Sequence, residues 1–286
     1  MYPMATPWNR AADRYVTEWM PRFRPYHLDL VRELALDEGQ RVLVPTSGPG
    51  AEVLALAHAV GRGGHVRSTD MASGMVDVCS GAVQSAGFQD RVTCAVADAA
   101  DTSGGPWDAI VCAFGLWQIE NRDETLASWT RSLAPGGKIG ILISGPPDAD
   151  DVFESLNEVL RDLEPHYPRP KTRILAERES LQKMLGVAGL AIVRLTVVRH
   201  TMSFKSLEAF VDAMKEGCTW RRIADQLGDE RAHRVALRFY EKMGGDPTMP
   251  LSFRPPSTIV IAARPGDDVR LEGRPSVRVP SMSNEG

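Results

Sequence analysis

Residues 41–75 constrain the fold of this chain more than any other stretch. The sequence RVLV at residues 41–44 suits a buried strand, and a turn rich in glycine and proline follows at residues 45–50. Apolar residues at helical spacing then lead to a second strand that ends at Asp70. A strand, a glycine turn, a helix and a strand ending in an acidic residue form the plan of a nucleotide-binding half-domain.

The glycine turn narrows the class of nucleotide. Gly48 and Gly50 let the backbone approach a ligand closely, because glycine has no Cβ. Asp70 follows at the spacing of about 20 residues at which a carboxylate can accept hydrogen bonds from both ribose hydroxyls. Val53 stands where a dinucleotide site needs a small residue, and no Gly-Lys-Ser/Thr sequence of a P-loop follows the turn. The pattern therefore favours adenosine without a pyrophosphate.

Four motifs follow one another along the chain: VLVPTSGPG at 42–50, DMASGM at 70–75, Asp98-Ala99 ahead of the strand core at 108–111, and LAPGGK at 133–138. Together they resemble the motifs of the class I S-adenosylmethionine-dependent methyltransferases, especially small-molecule enzymes similar to ubiquinone/menaquinone C-methyltransferases. The resemblance implies a Rossmann-like α/β fold with one seven-stranded sheet. Six strands should be parallel and the last, near residues 258–263, antiparallel.

The resemblance also implies S-adenosylmethionine as cofactor and assigns residues to it. In the family, the acid matching Asp70 holds the ribose and the acid matching Asp98 accepts from the adenine amino group. The full set of candidate cofactor-binding residues is Tyr15, Thr46, Ser47, Gly48, Gly50, Asp70, Met71, Met75, Asp98, Ala99 and Phe114.

The first motif departs from the family at three neighbouring positions. The family usually has Asp or Glu at the position of Val44 and glycine at that of Thr46, and Pro45 removes a backbone donor. One interpretation is an ordinary methyltransferase in which the methionine ammonium either points to solvent or is held by a hydroxyl of Thr46, Ser47 or Tyr15, or by a loop carbonyl. The alternatives are non-methylating chemistry with the same cofactor (cyclisation, elimination or a pericyclic step) or a catalytically silent binding protein.

The predicted function is therefore methyl transfer from S-adenosylmethionine to a small molecule of specialised or quinone-like metabolism. A sulfonium methyl is already electrophilic, so such an enzyme needs mainly alignment, with a base where the nucleophile carries a proton. His27 and His166 are the candidate bases, and a structural histidine is the alternative for each. Trp19, Trp117 and Tyr167 are the candidate substrate-binding residues. For the two tryptophans, packing in the core is the alternative.

The organisation predicted from the sequence has three parts. Residues 1–36 form an N-terminal helical lid of two helices, and Pro21 and Pro25 break the helical pattern between them. Residues 37–264 form the methyltransferase-like domain, with a helical cap inserted at about 203–254, because a structureless loop of that length is improbable. Residues 265–286 are rich in Gly, Pro, Asp, Arg and Ser and are predicted to be a disordered tail.

Composition limits the partners. A net charge of −4 leaves no basic field to attract nucleic acid or an anionic membrane. The four cysteines form no C-x-x-C pair, so neither a metal site nor a disulfide framework is expected. No signal peptide and no apolar run of membrane-spanning length are present, which favours a cytoplasmic protein. The expected partner is a small-molecule substrate, and the sequence leaves open whether the chain forms a homodimer.

Overall fold

The computed structural model describes residues 5–146, 148, 151–165, 175, 177–216, 227–271 and 274–278. In its first half the elements are α1 (Ala5–Glu18), α2 (Met20–Glu33), β1 (Arg41–Val44), α3 (Val53–Ala59), β2 (His65–Asp70), α4 (Ser73–Ser85), β3 (Val92–Val96), β4 (Trp107–Ala113), α5 (Arg122–Ser132) and β5 (Leu133–Ser144). In its second half they are α6 (Val152–Leu163), α7 (Arg178–Val187), β6 (Ala191–Arg199), β7 (Met202–Phe204), α8 (Leu207–Glu216), α9 (Asp229–Lys242), β8 (Leu251–Phe253), β9 (Pro256–Ala263), β10 (Asp268–Leu271) and β11 (Arg274–Arg278).

The central sheet has seven strands in the order β3-β2-β1-β4-β5-β9-β6. Strand β9 pairs antiparallel with both neighbours: Val260 lies opposite Ile141 of β5 on one side and opposite Leu195 of β6 on the other. The other six strands run parallel to one another. The prediction of a seven-stranded sheet with an antiparallel strand near residues 258–263 is confirmed.

The two faces of the sheet bury different clusters, because successive side chains of a strand point to opposite faces. Val42 and Val44 pack on one face with Leu56 of α3, whereas Leu43 packs on the other with Trp129 of α5. Helices on both faces explain why β1 and β4 read as continuous apolar runs. Strand β1 pairs with both β2 and β4, so the strand order reverses beside it. Open α/β sheets bind ligands in the crevice at such a point, beyond the carboxyl ends of the strands.

The N-terminal helices differ from the prediction. Helix α2 spans Met20–Glu33 and contains both Pro21 and Pro25, so the predicted interruption is wrong. Pro21 lies in the first turn, where its missing N–H has no partner inside the helix to lose. The Tyr26 hydroxyl lies 2.7 Å from the Pro255 carbonyl oxygen, so contacts with the distant C-terminal part hold the helix in spite of Pro25. Tertiary packing outweighs local propensity here.

Helices α8 and α9 fall where the inserted cap was predicted to be helical. The short strands β7 and β8 pair antiparallel beside them, which the sequence pattern did not indicate.

The C-terminal segment also differs from the prediction. Strands β10 and β11 pair antiparallel, so the described part of residues 265–286 is a hairpin and not a disordered tail. Val269 and Leu271 alternate with exposed residues and are buried against the sheet, and Lys138 Nζ donates to the Arg270 carbonyl oxygen at 3.0 Å. Two buried apolar side chains at strand spacing outweigh the polar composition that suggested disorder. The domain limits themselves stay a prediction.

Candidate functional site

A cavity of about 750 Å³ opens at the carboxyl ends of β1, β2 and β4. Its walls come from the turns after these strands, from both N-terminal helices and from α6 and α8. Ten of the eleven candidate cofactor residues line it: Tyr15, Thr46, Ser47, Gly48, Asp70, Met71, Met75, Asp98, Ala99 and Phe114. The eleventh, Gly50, lies behind the turn that carries Gly48.

The glycine turn presents bare backbone to the cavity. Gly48 has a φ of +51°, and a Cβ built on it would meet no atom within 4 Å. Gly50 has a φ of +84°, and its Cβ would lie 2.5 Å from the Sγ atom of Cys79. Glycine is required at Gly50 by both conformation and space, whereas at Gly48 it leaves room for a ligand.

Asp70 is held at the end of β2 by backbone amides. The Gly48 amide donates to Asp70 Oδ2 at 2.9 Å, and the Ala72 amide donates to Oδ1 at the same distance. Burial raises the pKa of the Asp70 carboxyl, and these two hydrogen bonds oppose the increase. Each carboxylate oxygen keeps a lone pair for a further donor, which is what binding of a ribose diol requires.

The adenine end of the predicted site is built around Asp98, just after β3. Asp98 Oδ1 accepts from the Ala100 amide at 2.8 Å, which fixes the turn. Ala99, Met71 and Met75 lie along the same wall and supply apolar surface for a flat ring. The structure thus brings Asp70 and Asp98 together in one cavity, although they lie on different strands.

The first motif places no charged group in the cavity at the positions where it departs from the family. Val44 has no exposed surface and belongs to the apolar core. Thr46 Oγ1 lies 3.3 Å from Cys112 Sγ, and the Ser47 hydroxyl is 3.5 Å from the Gly48 carbonyl oxygen. Burial raises the pKa of the Tyr15 phenol, which is therefore neutral at physiological pH. These groups offer hydroxyl dipoles but no anion for a methionine ammonium.

An anion-forming group that the sequence reasoning missed lies nearby. Glu52 precedes α3, lines the cavity and is only 1% exposed. Its Oε1 atom has no hydrogen-bond partner among the described residues, and its Oε2 atom lies 3.7 Å from His27 Nε2. Burial raises the pKa of Glu52 to about 8, and the charge of Asp70 adds to the increase. The available signal was an acid two residues after Gly50, at the start of a helix.

His27 faces Glu52 from α2. His27 Nδ1 lies 2.8 Å from the Phe23 carbonyl oxygen, which can only accept, so this nitrogen carries the ring proton and Nε2 keeps a lone pair. Burial lowers the pKa of His27 to about 4. His27 therefore lines the cavity as a neutral imidazole, and its role as a base stays a prediction. The second candidate base, His166, and the substrate candidate Tyr167 lie outside the described residues.

Aromatic rings line a further part of the cavity wall. Phe114 follows β4 with a φ of +54°, a conformation that bulky residues rarely adopt, and its ring centroid lies 4.9 Å from that of Phe23. Phe153 of α6 and Met214 of α8 continue this wall. Trp19 and Trp117 also line the cavity. Their role in substrate binding stays a prediction.

Two indole groups tie the N-terminal helices across the cavity. Trp8 Nε1 donates to Gln118 Oε1 at 2.6 Å, which links α1 to the turn after β4. Trp19 Nε1 donates to the Ala213 carbonyl oxygen at 3.1 Å, which links the start of α2 to α8. These contacts hold the two helices over the cavity.

The residues present fit S-adenosylmethionine. An adenosyl group with a cationic tail matches four features of the cavity. These are the bare backbone at Gly48, the acids Asp70 and Asp98, and the buried, unpaired oxygen of Glu52. This cofactor supplies an electrophilic methyl group on a sulfonium.

Two classes of feature are not found in the described part of the chain. No helix there is both long and apolar enough to cross a bilayer. No cluster of three or more His, Cys, Asp or Glu side chains is arranged to hold a metal ion.

Comparisons with known proteins agree with this geometry. A methyltransferase domain model matches residues 42–137, which carry the four motifs. The ubiquinone/menaquinone biosynthesis C-methyltransferase of Haemophilus ducreyi is 27% identical over 195 residues, covering 63% of this chain and 72% of that protein.

Solved structures with low sequence identity share the fold. A methyltransferase dependent on S-adenosylmethionine from Aquifex aeolicus is 18% identical, with a TM-score of 0.52, and the match covers 65% of this chain and 91% of that one. The [4+2]-cyclase SpnF is 20% identical, with a TM-score of 0.55, and the match covers 87% of this chain and 83% of that one. With its motifs, its strand order and its sequence relatives in agreement, this chain has the class I methyltransferase fold and is similar to S-adenosylmethionine-dependent methyltransferases.

Proposed function

We propose that the acceptor of the methyl group is a small, largely apolar ring compound of the quinol type, methylated on carbon. The observation that carries this proposal is the composition of the cavity, which is lined both by the acids and bare backbone of the predicted cofactor site and by a set of aromatic side chains. The relationship to proteins named as ubiquinone/menaquinone C-methyltransferases supports it.

The residues act mainly by placing the two reactants and excluding water. Asp70 and Asp98 fix the adenosyl end, while Phe23, Phe114 and Phe153 form an apolar surface for a ring. Alignment of this kind can lower a barrier by roughly 7–11 kcal/mol. Aromatic faces also attract a nearby cation, which favours a sulfonium beside them.

His27 stays our candidate for the base. Its Nε2 atom is unprotonated at neutral pH and belongs to the cavity wall. Because its pKa is low, His27 is a weak base, and we expect it to take only a proton that is already acidic, such as the one that a ring carbon loses after it has accepted the methyl group, when the ring regains its aromaticity.

The test is incubation of the protein with methyl-labelled S-adenosylmethionine and reduced benzoquinones or naphthoquinones that lack a ring methyl. We expect S-adenosylhomocysteine and a ring-methylated product in equal amounts, and neither without acceptor. Formation of methylthioadenosine, or cofactor binding without transfer to any such ring, would overturn the proposal.

We further propose that the protein acts in the cytoplasm, on a small molecule and without nucleic acid. The free thiols of Cys79, Cys94 and Cys112 support a reducing compartment. A homodimer stays a prediction.

A further inference from the structure

The Glu52 side chain is buried, and the described residues around it supply no positively charged group. Its described ion-pair contact is His27, whose Nδ1 proton is committed to the Phe23 carbonyl. The lone pair of Nε2 and the oxygens of Glu52 therefore face each other, and a proton or another cation must lie between them. The other oxygen of Glu52, Oε1, has no hydrogen-bond partner within the described ranges.

The other titratable groups around Glu52 are neutral or negative. They are Tyr15 on α1, Asp70 on β2, Cys79 on α4 and Cys112 on β4. Burial raises the pKa of the Tyr15 and Cys112 side chains, so these two are uncharged. An ionised Glu52 would be an unpaired buried charge, which is strongly unfavourable. At neutral pH, Glu52 can therefore ionise only when a positively charged ligand lies beside it.

We propose that Glu52 is the counter-ion for the cationic methionyl part of S-adenosylmethionine, and that it replaces the family acid that is absent at Val44. Glu52 lines the same cavity as Ser47 and Gly48, and its charge interacts with that of Asp70, which accepts a hydrogen bond from the Gly48 amide. A ligand that meets the bare backbone of the turn therefore lies near this carboxyl. Val44 is enclosed in the apolar core and has no contact with the cavity. This role of Glu52 rests on the proposed function only in that both require S-adenosylmethionine as the cofactor.

This assignment makes cofactor binding depend on pH. With its pKa at about 8, Glu52 is protonated in the free protein at pH 7, and a bound cation favours the ionised form. Binding should therefore release close to one proton at pH 7 and below, and about half a proton at pH 8. Affinity should rise by roughly tenfold per pH unit between pH 6 and 7.5 and then level off as Glu52 ionises without ligand.

The experiment is titration calorimetry of the full chain in buffers of different ionisation enthalpy, which counts the protons released. The ligands are S-adenosylmethionine, S-adenosylhomocysteine, which keeps the ammonium but lacks the sulfonium, and methylthioadenosine, which lacks both charges. In Glu52→Gln, we expect affinity for S-adenosylmethionine to fall by about tenfold to a hundredfold and proton release to disappear. Methylthioadenosine should bind equally well to both proteins.

Two further variants keep the result interpretable. Glu154→Gln removes another buried glutamate of the cavity wall, one that is already paired with Arg161 at 2.7 Å, and proton release should persist in it. Glu52→Asp keeps the charge, so proton release should persist there as well. Thermal melting establishes that each variant is folded.

The outcomes separate this inference from the proposed function. If wild-type protein transfers methyl groups but folded Glu52→Gln binds S-adenosylmethionine with unchanged affinity and proton count, the role of Glu52 is refuted and the proposed function stands. If wild-type protein releases a proton on binding but methylates no quinol, the proposed function fails and the role of Glu52 stands. An equal loss of methylthioadenosine affinity would also refute the role, because that ligand carries no cation.

Discussion

Two regions of the molecule build the cavity in different ways. The segment from β1 to β5 contributes short turns at strand ends, in which interacting residues are close in sequence: Gly48 and Asp70 are 22 positions apart. The elements that enclose it contribute side chains from distant parts of the chain, as in the hydrogen bond between Trp8 and Gln118, 110 positions apart. The predicted cofactor site is thus encoded locally, whereas the enclosure of the cavity and its aromatic lining depend on how separate helices pack.

The largest expected effect concerns the C-terminal hairpin. Deleting residues 265–286 removes the buried side chains of Val269 and Leu271 and exposes Lys138. Burial of two such side chains stabilises a fold by roughly 3–6 kcal/mol, so we expect a decrease of that order in the free energy of unfolding. Denaturant titration measures it, and a truncation after residue 278 is the matched control. A stability equal to that of the full chain would restore the expectation of a structureless tail.

The next effect concerns the locally encoded region. Asp70→Ala removes the charged acceptor for the ribose hydroxyls and the partner of the Gly48 and Ala72 amides. A charge-assisted hydrogen bond is worth about 1.5–3 kcal/mol, so cofactor affinity should fall roughly tenfold to a hundredfold. Calorimetric titration with S-adenosylhomocysteine tests this. Methylthioadenosine, which keeps the ribose, should lose as much affinity, in contrast to its behaviour with Glu52→Gln.

The smallest effect concerns the enclosing region. Trp8→Phe keeps an aromatic ring but loses the indole N–H that donates to Gln118. A hydrogen bond of this kind contributes about 0.5–1.5 kcal/mol net, so we expect cofactor dissociation to accelerate by roughly twofold to tenfold. Stopped-flow displacement measures the rate. Combining the change with Gln118→Leu should add little, and fully additive effects would show that the contact does not hold α1 in place.

The sequence predicted the locally encoded region well. The seven-stranded sheet was predicted from the alternation of strand and helix together with the family resemblance, which also assigned Asp98, whereas Asp70 followed from its position at the end of a strand. The carboxyl ends of parallel strands bring these two acids to one edge of the sheet. The same reasoning failed at α2 and at the β10–β11 hairpin. In both cases, contacts with distant residues such as Pro255 and Lys138 outweigh a local pattern of proline or polar residues.

Glu52 shows why part of the site could not be read from the sequence. A glutamate at the start of a helix is usually solvated, and nothing in its neighbours along the chain indicates otherwise. Its burial results from α1 and α2, which bring Tyr15 and His27 across the turn after β1. The hydroxyls suggested as substitutes for an acid at Val44 are present, but the ionisable group was found only in the folded molecule.

The sequence by itself determined the fold and the cofactor, and it predicted that Asp70 and Asp98 lie at the cofactor site, because those features depend on backbone geometry within short segments. Only the tertiary structure decided which carboxyl of the cavity wall is buried with an unpaired oxygen and which aromatic rings line the same cavity. The reason is physical: the burial that raises the pKa of Glu52 to about 8 is a property of packing between helices that no single segment contains.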